Sequence, residues 1–398
     1  MIYYLYGIFT VVLGALFVAG VAERRRHERN LAQIPVRILV NGIRGKSSIT
    51  RLTAGALRGG NLRVVAKTTG SAARFIHPDG SEEPVYRKFG LANVVEQIGI
   101  VRRAAAASPD VLVMECMAVQ PALQEISQKM LIRSTIGVLC NVREDHLEEM
   151  GPTLDDVARS LSRAMPARGV CMSAEHDRRR ILEREAARRD CELVIVEPRS
   201  ITDEEMSGFS HIAFKENVAI ALAVAVKLGI GRSEALRGMY DAAPDPGALT
   251  VEEVRTEGGT VRLANVFAAN DPQSTLMNVR QLVVAGLLKP PFMTLINCRP
   301  DRIERNGQMG RIVPELDTET LILIGHPTKS AREAIPADWT GRVVDLGGPR
   351  REPAEIWRSI AGHVIGTTSL VAVGNIHGQG ERLLAYVESL PSEQRGAR

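Results

Sequence analysis

The sequence predicts an α/β protein with two doubly wound domains behind an N-terminal transmembrane helix. Apolar runs of strand length alternate with helix-period segments, a turn-rich stretch interrupts this alternation at residues 242–250, and residues 2–22 carry no charge. The chain has 398 residues, of which 45% are hydrophobic and 24% charged. It is therefore long enough for two globular cores and too apolar to be disordered.

The uncharged run at the start has the length of a membrane span. At about 1.5 Å per residue, a helix over residues 2–22 reaches roughly 30 Å, which matches a bilayer core. The basic cluster ERRRHER follows it, three tyrosines lie near its start, and no Lys or Arg precedes it, so the positive-inside rule places the rest in the cytoplasm. A cleaved signal peptide is the alternative, but it lacks the charged n-region. We expect a membrane anchor with its basic flank at 1–30.

Charge and cysteine usage exclude some functions. The 50 basic residues against 46 acidic ones give a formal net charge of +4, too even a balance to indicate nucleic-acid binding, and no nucleic-acid partner is expected. The five cysteines are widely spaced and form no CxxC pair, so neither a disulfide framework nor a zinc site is indicated. We expect most of them to be buried free thiols in a reducing cytosol.

Two domains follow the anchor, a central one at 31–245 and a smaller one at 246–398. The strands expected in the central domain are 36–40, 62–66, 111–115, 136–142, 169–173 and 193–197. A helical pair is expected at 217–228 and 233–240. The strands expected in the second domain are 261–267, 292–297, 321–325, 342–346 and 370–374. The charged segment 177–190 interleaves acidic with basic residues, which favours a solvated helix face over a binding patch.

The strongest chemical signal is the segment NGIRGKSS at 41–48, between a predicted strand and an amphipathic helix. A phosphate loop needs glycines where backbone N–H groups approach phosphate oxygens, here Gly42 and Gly45. It also needs a lysine for the terminal phosphates, Lys46, and a hydroxyl that can hold magnesium, Ser47. Two residues instead of the usual four separate the first glycine from Gly-Lys. A chance match in a loop is the alternative, which the flanking strand and helix disfavour.

Two further candidates stand at the ends of strands in the same domain. Glu115 ends the apolar strand 111–115, where open α/β sheets place ligand-binding groups. A buried carboxylate there costs several kcal/mol unless it is paired, and magnesium beside Ser47 would pair it; the alternative is an exposed strand-end Glu. His146 follows the next strand and could ligate the metal or orient a phosphate in the same crevice.

The second domain offers two comparable strand ends. Residues 269–275, which include Asn270 and Asp271, pass from a strand into a helix. Residues 297–305 follow another strand and carry three arginines, among them Arg302. Guanidinium groups in this position suit phosphate or carboxylate recognition, and surface salt bridges are the alternative.

These motifs together resemble the ATP-dependent Mur ligase superfamily, which includes folylpolyglutamate synthetases. The residues that carry the resemblance are GIRGKSS, Glu115, NVREDHLE, the helix around Asn217 and NDPQST. With the membrane anchor, the segments NGIRGKSS, KTTGS, RFIHPDG, VMECMAVQP and NVREDHLEEMG resemble the PgsB/CapB family of poly-γ-glutamate synthase catalytic subunits. The likeness covers nearly the whole chain.

The resemblance implies a ligase reaction with ATP and Mg²⁺. ATP phosphorylates a carboxylate, an amine attacks the acyl phosphate, and an amide, ADP and phosphate are released. The implied partners are glutamate, the growing poly-γ-glutamate chain and small membrane subunits of an export complex, with assembly of the ligase as a homo-oligomer. A ligase for another amino-acid polymer, one for a folylpolyglutamate-like tail, and a non-catalytic nucleotide-dependent membrane assembly module remain alternatives.

The resemblance also assigns residues. The nucleotide contacts fall to Gly42, Arg44, Gly45, Lys46, Ser47, Ser48, Thr68, Thr69 and Ser71, and in the second domain to Asn270, Asp271 and Arg302. The metal ligands are Ser47, Glu115 and His146, and the catalytic groups are Lys46, Glu115, His146 and Arg302.

Two departures from the superfamily pattern stand out. Many Mur ligases carry a carbamylated lysine some fifteen residues after the histidine, whereas this chain has no lysine between Lys129 and Lys215. A second magnesium would therefore need other ligands. Gly325 and His326 stand where the superfamily has an acidic residue.

Overall fold

The computed structural model describes residues 2–69, 73–85, 93–209, 211–245, 249–267, 269, 271–391 and 394. The chain divides into two compact units, Met1–Pro246 and Gly247–Arg398. Each unit is built around its own mostly parallel β-sheet.

The first helix, α1, extends over Ile2–Ala32 and does not end where the charged residues begin. Its segment Tyr3–Ala32 is long and apolar enough to cross a membrane, and the apolar window is fully exposed. The other end is packed into the first unit. His27 is buried and its Nε2 lies 2.9 Å from the carbonyl oxygen of Leu131, while Leu31 belongs to a buried apolar cluster. The apolar helix and the folded unit therefore share one continuous element.

The first unit contains an eight-stranded sheet in the order β4-β3-β2-β5-β1-β6-β7-β8. All neighbours pair in parallel except β3 and β4, which form an antiparallel edge. Its strands are β1 Val36–Asn41, β2 Val64–Lys67, β3 Arg74–Ile76, β4 Glu82–Pro84, β5 Val111–Glu115, β6 Ile136–Leu139, β7 Val170–Ser173 and β8 Glu192–Ile195. Its further helices are α2 Lys46–Gly59, α3 Glu96–Ala106, α4 Pro121–Ile126, α5 Leu147–Met150, α6 Leu154–Leu161, α7 Arg179–Ala187, α8 Asp203–Ser207, α9 Lys215–Lys227 and α10 Arg232–Tyr240.

The central strands are mostly apolar because both faces of the sheet are covered. Ile38 and Val40 of β1 pack with α2, α9 and α10 on one face, while Leu39 packs with the end of α1 and with α3 on the other. Successive side chains of a strand point to opposite faces, so a strand covered on both sides shows no polar alternation.

The second unit contains a six-stranded sheet in the order β13-β12-β11-β14-β10-β9, parallel except for β9. Its strands are β9 Thr250–Thr256, β10 Gly259–Asn265, β11 Phe292–Cys298, β12 Thr318–Gly325, β13 Arg342–Asp345 and β14 Gly366–Gly374. Its helices are α11 Pro272–Val284, α12 Ile303–Arg311, α13 Lys329–Glu333, α14 Pro353–Ala361 and α15 Gln379–Glu388.

The structure agrees with the predicted α/β class but differs from the prediction at several strands. The short edge strands β3 and β4 were not expected, and β9 begins at the end of the turn-rich stretch 242–250. The strand expected at 136–142 ends at Leu139. Beyond that point the backbone leaves the sheet, and the carbonyl oxygen of Asn141 accepts a hydrogen bond from the N–H of Ile43. This departure brings residues 140–142 against the segment that follows β1.

Candidate active site

The segment between β1 and α2 has the backbone that a phosphate loop requires. Gly42 has φ +137°, and a Cβ there would lie 2.8 Å from the Cβ of Cys140. Gly45 has φ +81°, and a Cβ there would lie 2.9 Å from Oδ1 of Asn217. No side chain within the described ranges caps α2, so the first N–H groups of this helix are available to an anion. Both predicted glycines are thus required by the local backbone.

Asn141 holds this loop in place. Its Oδ1 accepts a hydrogen bond from the N–H of Arg44 at 3.0 Å, and its Nδ2 donates to the carbonyl oxygen of Arg44 at 3.1 Å. The side chain is buried. Asn141 is the first residue of the NVREDHLE motif, but sequence reasoning assigned it no role in the site.

Lys46 lies over the same loop. Its Nζ donates hydrogen bonds to the carbonyl oxygens of Gly42 at 2.8 Å and of Ile43 at 3.0 Å. The ammonium group is thereby held within one turn of the uncapped N-terminus of α2. A positive charge in this position can neutralise phosphate oxygens that approach the loop.

Three elements meet at one carboxylate oxygen. Ser47 at the start of α2 donates its hydroxyl to Oε2 of Glu115 at 2.8 Å, and the N–H of Thr69 donates to the same oxygen at 2.7 Å. Glu115 ends β5 and is 3% exposed. A hydroxyl beside a carboxylate is the kind of hard oxygen set that Mg²⁺ prefers, so the donor chemistry of this pair fits a divalent cation. We call the three residues the Ser47–Glu115–Thr69 network.

The residues before Thr69 are engaged in the edge hairpin. Thr68 is buried, and its hydroxyl accepts a hydrogen bond from the N–H of Arg74 at 3.2 Å. Lys67 is fully buried, and its Nζ lies 2.7 Å from Oε1 of Glu96. Lys67 was not among the predicted site residues, although it belongs to the KTTG segment. The predicted Ser71 lies outside the described residues.

His146 is not brought to Glu115 by any described contact. It has φ +52° and precedes α5, with its ring nitrogens 3.7 Å from carboxylate oxygens of Asp145 and Glu149. Asp145 makes the link to the phosphate loop instead, since its Oδ2 lies 3.0 Å from Nη2 of Arg44. Across the described ranges, no group of three His, Cys, Asp or Glu side chains is arranged to hold a metal ion. The metal set with His146 stays a prediction.

A second charged cluster lies after the neighbouring strands. Nη1 of Arg143 is 3.7 Å from Oε2 of Glu175, and Nη2 is 3.9 Å from Oε1 of Glu216. Burial raises the pKa of Glu216, an effect that Arg143 opposes and the Glu175 charge reinforces. The amide of Asn217, next in sequence, faces Gly45. Sequence reasoning used the Asn217 helix as a family motif but did not predict a site role for these residues.

The thiols near the loop are unreactive. Burial raises the pKa of Cys116 to about 11 and that of Cys140 to about 12. Both are therefore neutral near pH 7, which excludes them as nucleophiles in the folded protein. All five cysteines are free and buried, as the sequence predicts.

The predicted residues of the second unit have local roles. Asp271 is buried and caps α11, with Oδ1 accepting the N–H of Ser274 at 2.8 Å. Arg302 precedes α12, its side chain is about half exposed, and its Nε lies 3.9 Å from Oδ2 of Asp301. Asn270 lies outside the described residues. Their nucleotide contacts stay predictions.

Comparison with known proteins gives the family. The model of the poly-gamma-glutamate synthase CapB C-terminal domain matches residues 251–390. PGA synthase CapB of Bacillus subtilis (strain 168) is 35% identical over 394 residues, which cover 97% of this chain and 99% of the relative. Capsule biosynthesis protein CapB of Bacillus anthracis is 36% identical over 391 residues, covering 96% of this chain and 82% of the relative.

Solved structures share the fold at low identity. A bifunctional folylpolyglutamate synthase/dihydrofolate synthase with Mn, AMPPNP and L-glutamate bound has a TM-score of 0.63 and 15% identity, covering 91% of this chain and 92% of that one. MurF from Acinetobacter baumannii has a TM-score of 0.62 and 14% identity, covering 92% and 79%. The predicted Mur-ligase-like fold is thus confirmed. The resemblance carried by the sequence motifs is confirmed as well, and the chain belongs to the CapB family of poly-gamma-glutamate synthases.

Proposed function

We propose that this protein is an ATP-dependent amide ligase that polymerises glutamate through γ-linkages at the cytoplasmic face of a membrane. The Ser47–Glu115–Thr69 network beside a glycine loop is the observation that carries the proposal. It joins a hydroxyl, a buried carboxylate and a backbone donor at the point where an uncapped helix favours phosphate. The family and its folylpolyglutamate synthase neighbour, solved with L-glutamate bound, support glutamate as substrate.

In this proposal the chain's own residues prepare both phosphoryl and acyl transfer. The backbone of Gly42–Gly45 cradles the phosphates of ATP, together with Arg44 and Ser48, and Lys46 neutralises charge that develops on the terminal phosphate. Mg²⁺, when bound, would neutralise phosphate oxygens in the same place. Ser47 and Glu115 would hold it, with His146 as a further predicted ligand. The terminal phosphoryl group passes to a carboxylate, and an amine then displaces phosphate to leave an amide.

The second unit supplies the remaining nucleotide contacts in this proposal. Asn270 or Asp271 and Arg302 are its candidates, and the guanidinium group of Arg302 is about half exposed and so open to an anion. An acyl phosphate hydrolyses easily, so the ligase must hold both substrates close together and away from water.

The N-terminal helix supports the membrane assignment. The helix Tyr3–Ala32 would anchor the polymer synthase in the membrane. A chain that grows there can pass directly to export subunits. The basic residues that follow the apolar run favour a cytoplasmic catalytic part. Small membrane subunits and self-assembly are part of this proposal.

The test is a product assay on membranes that contain the full-length protein, ATP, Mg²⁺ and isotopically labelled glutamate. We expect ADP release that depends on glutamate, and a mass spectrum with a ladder spaced by one glutamyl residue. K46A membranes should give neither product, and the surface variant K227A should give both. Stimulation by another amino acid but not by L- or D-glutamate would overturn the substrate assignment. Polymer formation undiminished in K46A would point instead to an assembly module.

A further inference from the structure

The C-terminal end of α2 lines a second cavity in the first unit. Its volume is about 320 Å³, and its charged lining consists of Arg51, Arg58, Asp79, Glu82, Arg237 and Asp241. The helix starts at the phosphate loop and has 14 residues, so its two ends are about 20 Å apart at 1.5 Å per residue. The turn between β3 and β4 closes the cavity, at the sheet edge opposite the phosphate loop, because β3 runs antiparallel to β2. This cavity is therefore distinct from the candidate active site.

Glycines form the wall between α2 and α10. A Cβ on Gly55 would lie 2.4 Å from the carbonyl oxygen of Gly238, and a Cβ on Gly59 would lie 2.3 Å from that of Glu234. The two backbones touch here, so these glycine positions add no side chain to the cavity. The cavity is lined instead by the arginine side chains and by the turn between β3 and β4.

The buried polar atoms that lack a partner here are hydrogen-bond donors. Arg51 is 3% exposed, and both of its Nη groups donate to the carboxylate of Glu82. Its Nε has no hydrogen-bond acceptor among the described residues, and Oδ1 of Asp245 lies 3.9 Å away. Nη1 of Arg58 is also buried and has no hydrogen-bond partner in the described part of the chain. Burial lowers the pKa of Arg58, with Glu82 and Asp79 opposing the shift. Unpaired buried N–H groups are costly, so two of them on arginines indicate an oxyanion as their ligand.

The exposed charges that line the outer side of the same cavity are the carboxylates of Asp79 and Asp241 and the guanidinium group of Arg237, so negative charge is in excess there. Asp79 and Asp241 are exposed, and Oδ1 of Asp79 accepts hydrogen bonds from the N–H and hydroxyl of Ser81. Carboxylates at the mouth repel a dense polyanion. Together with the donors inside, they suit a molecule that has a carboxylate for the interior and an ammonium group for the mouth. The volume stands at the lower limit of typical ligand pockets, about 300 Å³, which favours a small ligand.

We propose that this cavity is a second, non-catalytic binding site for a free α-amino acid. The ligand's carboxylate lies against Arg51 and Arg58, and its ammonium group lies near Asp79 and Asp241. The choice of glutamate as the amino acid rests on the proposed function. Lys46 and Ser47 lie at one end of α2, and the other end of the helix lines the cavity. A ligand in the cavity can therefore influence the phosphate loop by shifting this helix.

The experiment is calorimetric titration of the full-length protein with glutamate in the absence of ATP, in the K46A background so that no turnover occurs. We expect R58Q to weaken one glutamate-binding event at least tenfold, and the surface variant R180Q to leave it unchanged. A243F should have the same effect as R58Q, because it fills the cavity wall without removing a buried charge. Melting curves establish that both variants are folded, and A243F keeps the test valid if R58Q is not.

Two further probes separate the possible ligands. Glutarate, which lacks the ammonium group, should bind more weakly than glutamate. Inorganic phosphate should not compete with glutamate. Unchanged glutamate binding in both R58Q and A243F would overturn the proposal, and so would a site that binds phosphate in preference to glutamate. Failure of ADP release in the product assay would speak against the proposed function alone, since this titration involves no catalysis.

Discussion

The candidate residues of the two units are held in different ways. In the first unit, Ser47, Glu115 and Thr69 come from three separate elements and meet at one carboxylate oxygen. In the second unit, Oδ1 of Asp271 accepts the N–H of Ser274 three positions along the chain, and Nε of Arg302 lies 3.9 Å from the adjacent Asp301. A buried polar network between distant elements destabilises the fold unless every member is paired, so its presence indicates a functional site. A helix cap is accounted for by the stability that it gives to the helix. Substitutions in the two units should therefore differ in what they remove.

The largest effect is expected for Lys46 in the first unit. K46A should lower glutamate-dependent ADP release by about 10²–10³-fold, because it removes a preorganised positive charge from the phosphate loop. Stability should change little, since among the described residues the Nζ of Lys46 donates hydrogen bonds to two loop carbonyl oxygens. Steady-state ADP release and thermal melting measure both. Activity within threefold of the parent would show that the loop does not bind the reacting phosphates.

The next effect concerns the carboxylate of Glu115. E115Q keeps the volume and can still accept the hydrogen bond from the N–H of Thr69, but it loses the charge that pairs with a cation. We expect about a 10²-fold loss of ADP release and a higher Mg²⁺ requirement, read from activity as a function of Mg²⁺ concentration. If the Mg²⁺ dependence of E115Q equals that of the parent protein, Glu115 is not a metal ligand.

Asp271 tests the second unit. D271A should lower the free energy of unfolding by about 1 kcal/mol, because α11 loses its N-cap, while D271N should retain most of it. Urea unfolding of the full chain measures this. If Asp271 also contacts the nucleotide, D271N lowers ADP release while stability holds. Normal activity in D271N would leave Asp271 as a cap alone.

The smallest effect uses two buried thiols, Cys140 beside the phosphate loop and Cys298 in β11. Burial raises the pKa of each to about 12, so labelling at pH 8 requires local opening. Adding ATP and Mg²⁺ should slow the modification of Cys140 several-fold, as followed by mass spectrometry of peptides. A matching change at Cys298 would show that the second unit responds to the nucleotide, and no change at either would argue against binding at the loop.

Much of the fold could be predicted because burial on both faces makes strands into apolar runs. The strand Val111–Glu115 has the predicted bounds, and β1 and β11 differ from theirs by one residue. The phosphate loop could also be predicted, since its glycines, lysine and hydroxyl occur together in the sequence. The carboxylate of Glu115 was found because parallel strands end at one edge.

The elements that were missed lack such signals. The strands β3 and β4 have three residues each, too few for a pattern, and β9 at the sheet edge alternates with charges. Asn141 and Asn217 reach the loop from distant positions, and an isolated amide has no spacing that identifies it. Their roles follow only from the tertiary structure.

The unbroken course of α1 has a mechanical consequence. The helix enters the folded unit at His27 and Leu31 with no intervening linker. A tilt or rotation of its apolar end therefore turns the whole unit with it. A flexible tether would let the folded unit turn freely, whereas a continuous helix fixes its orientation relative to the helix axis.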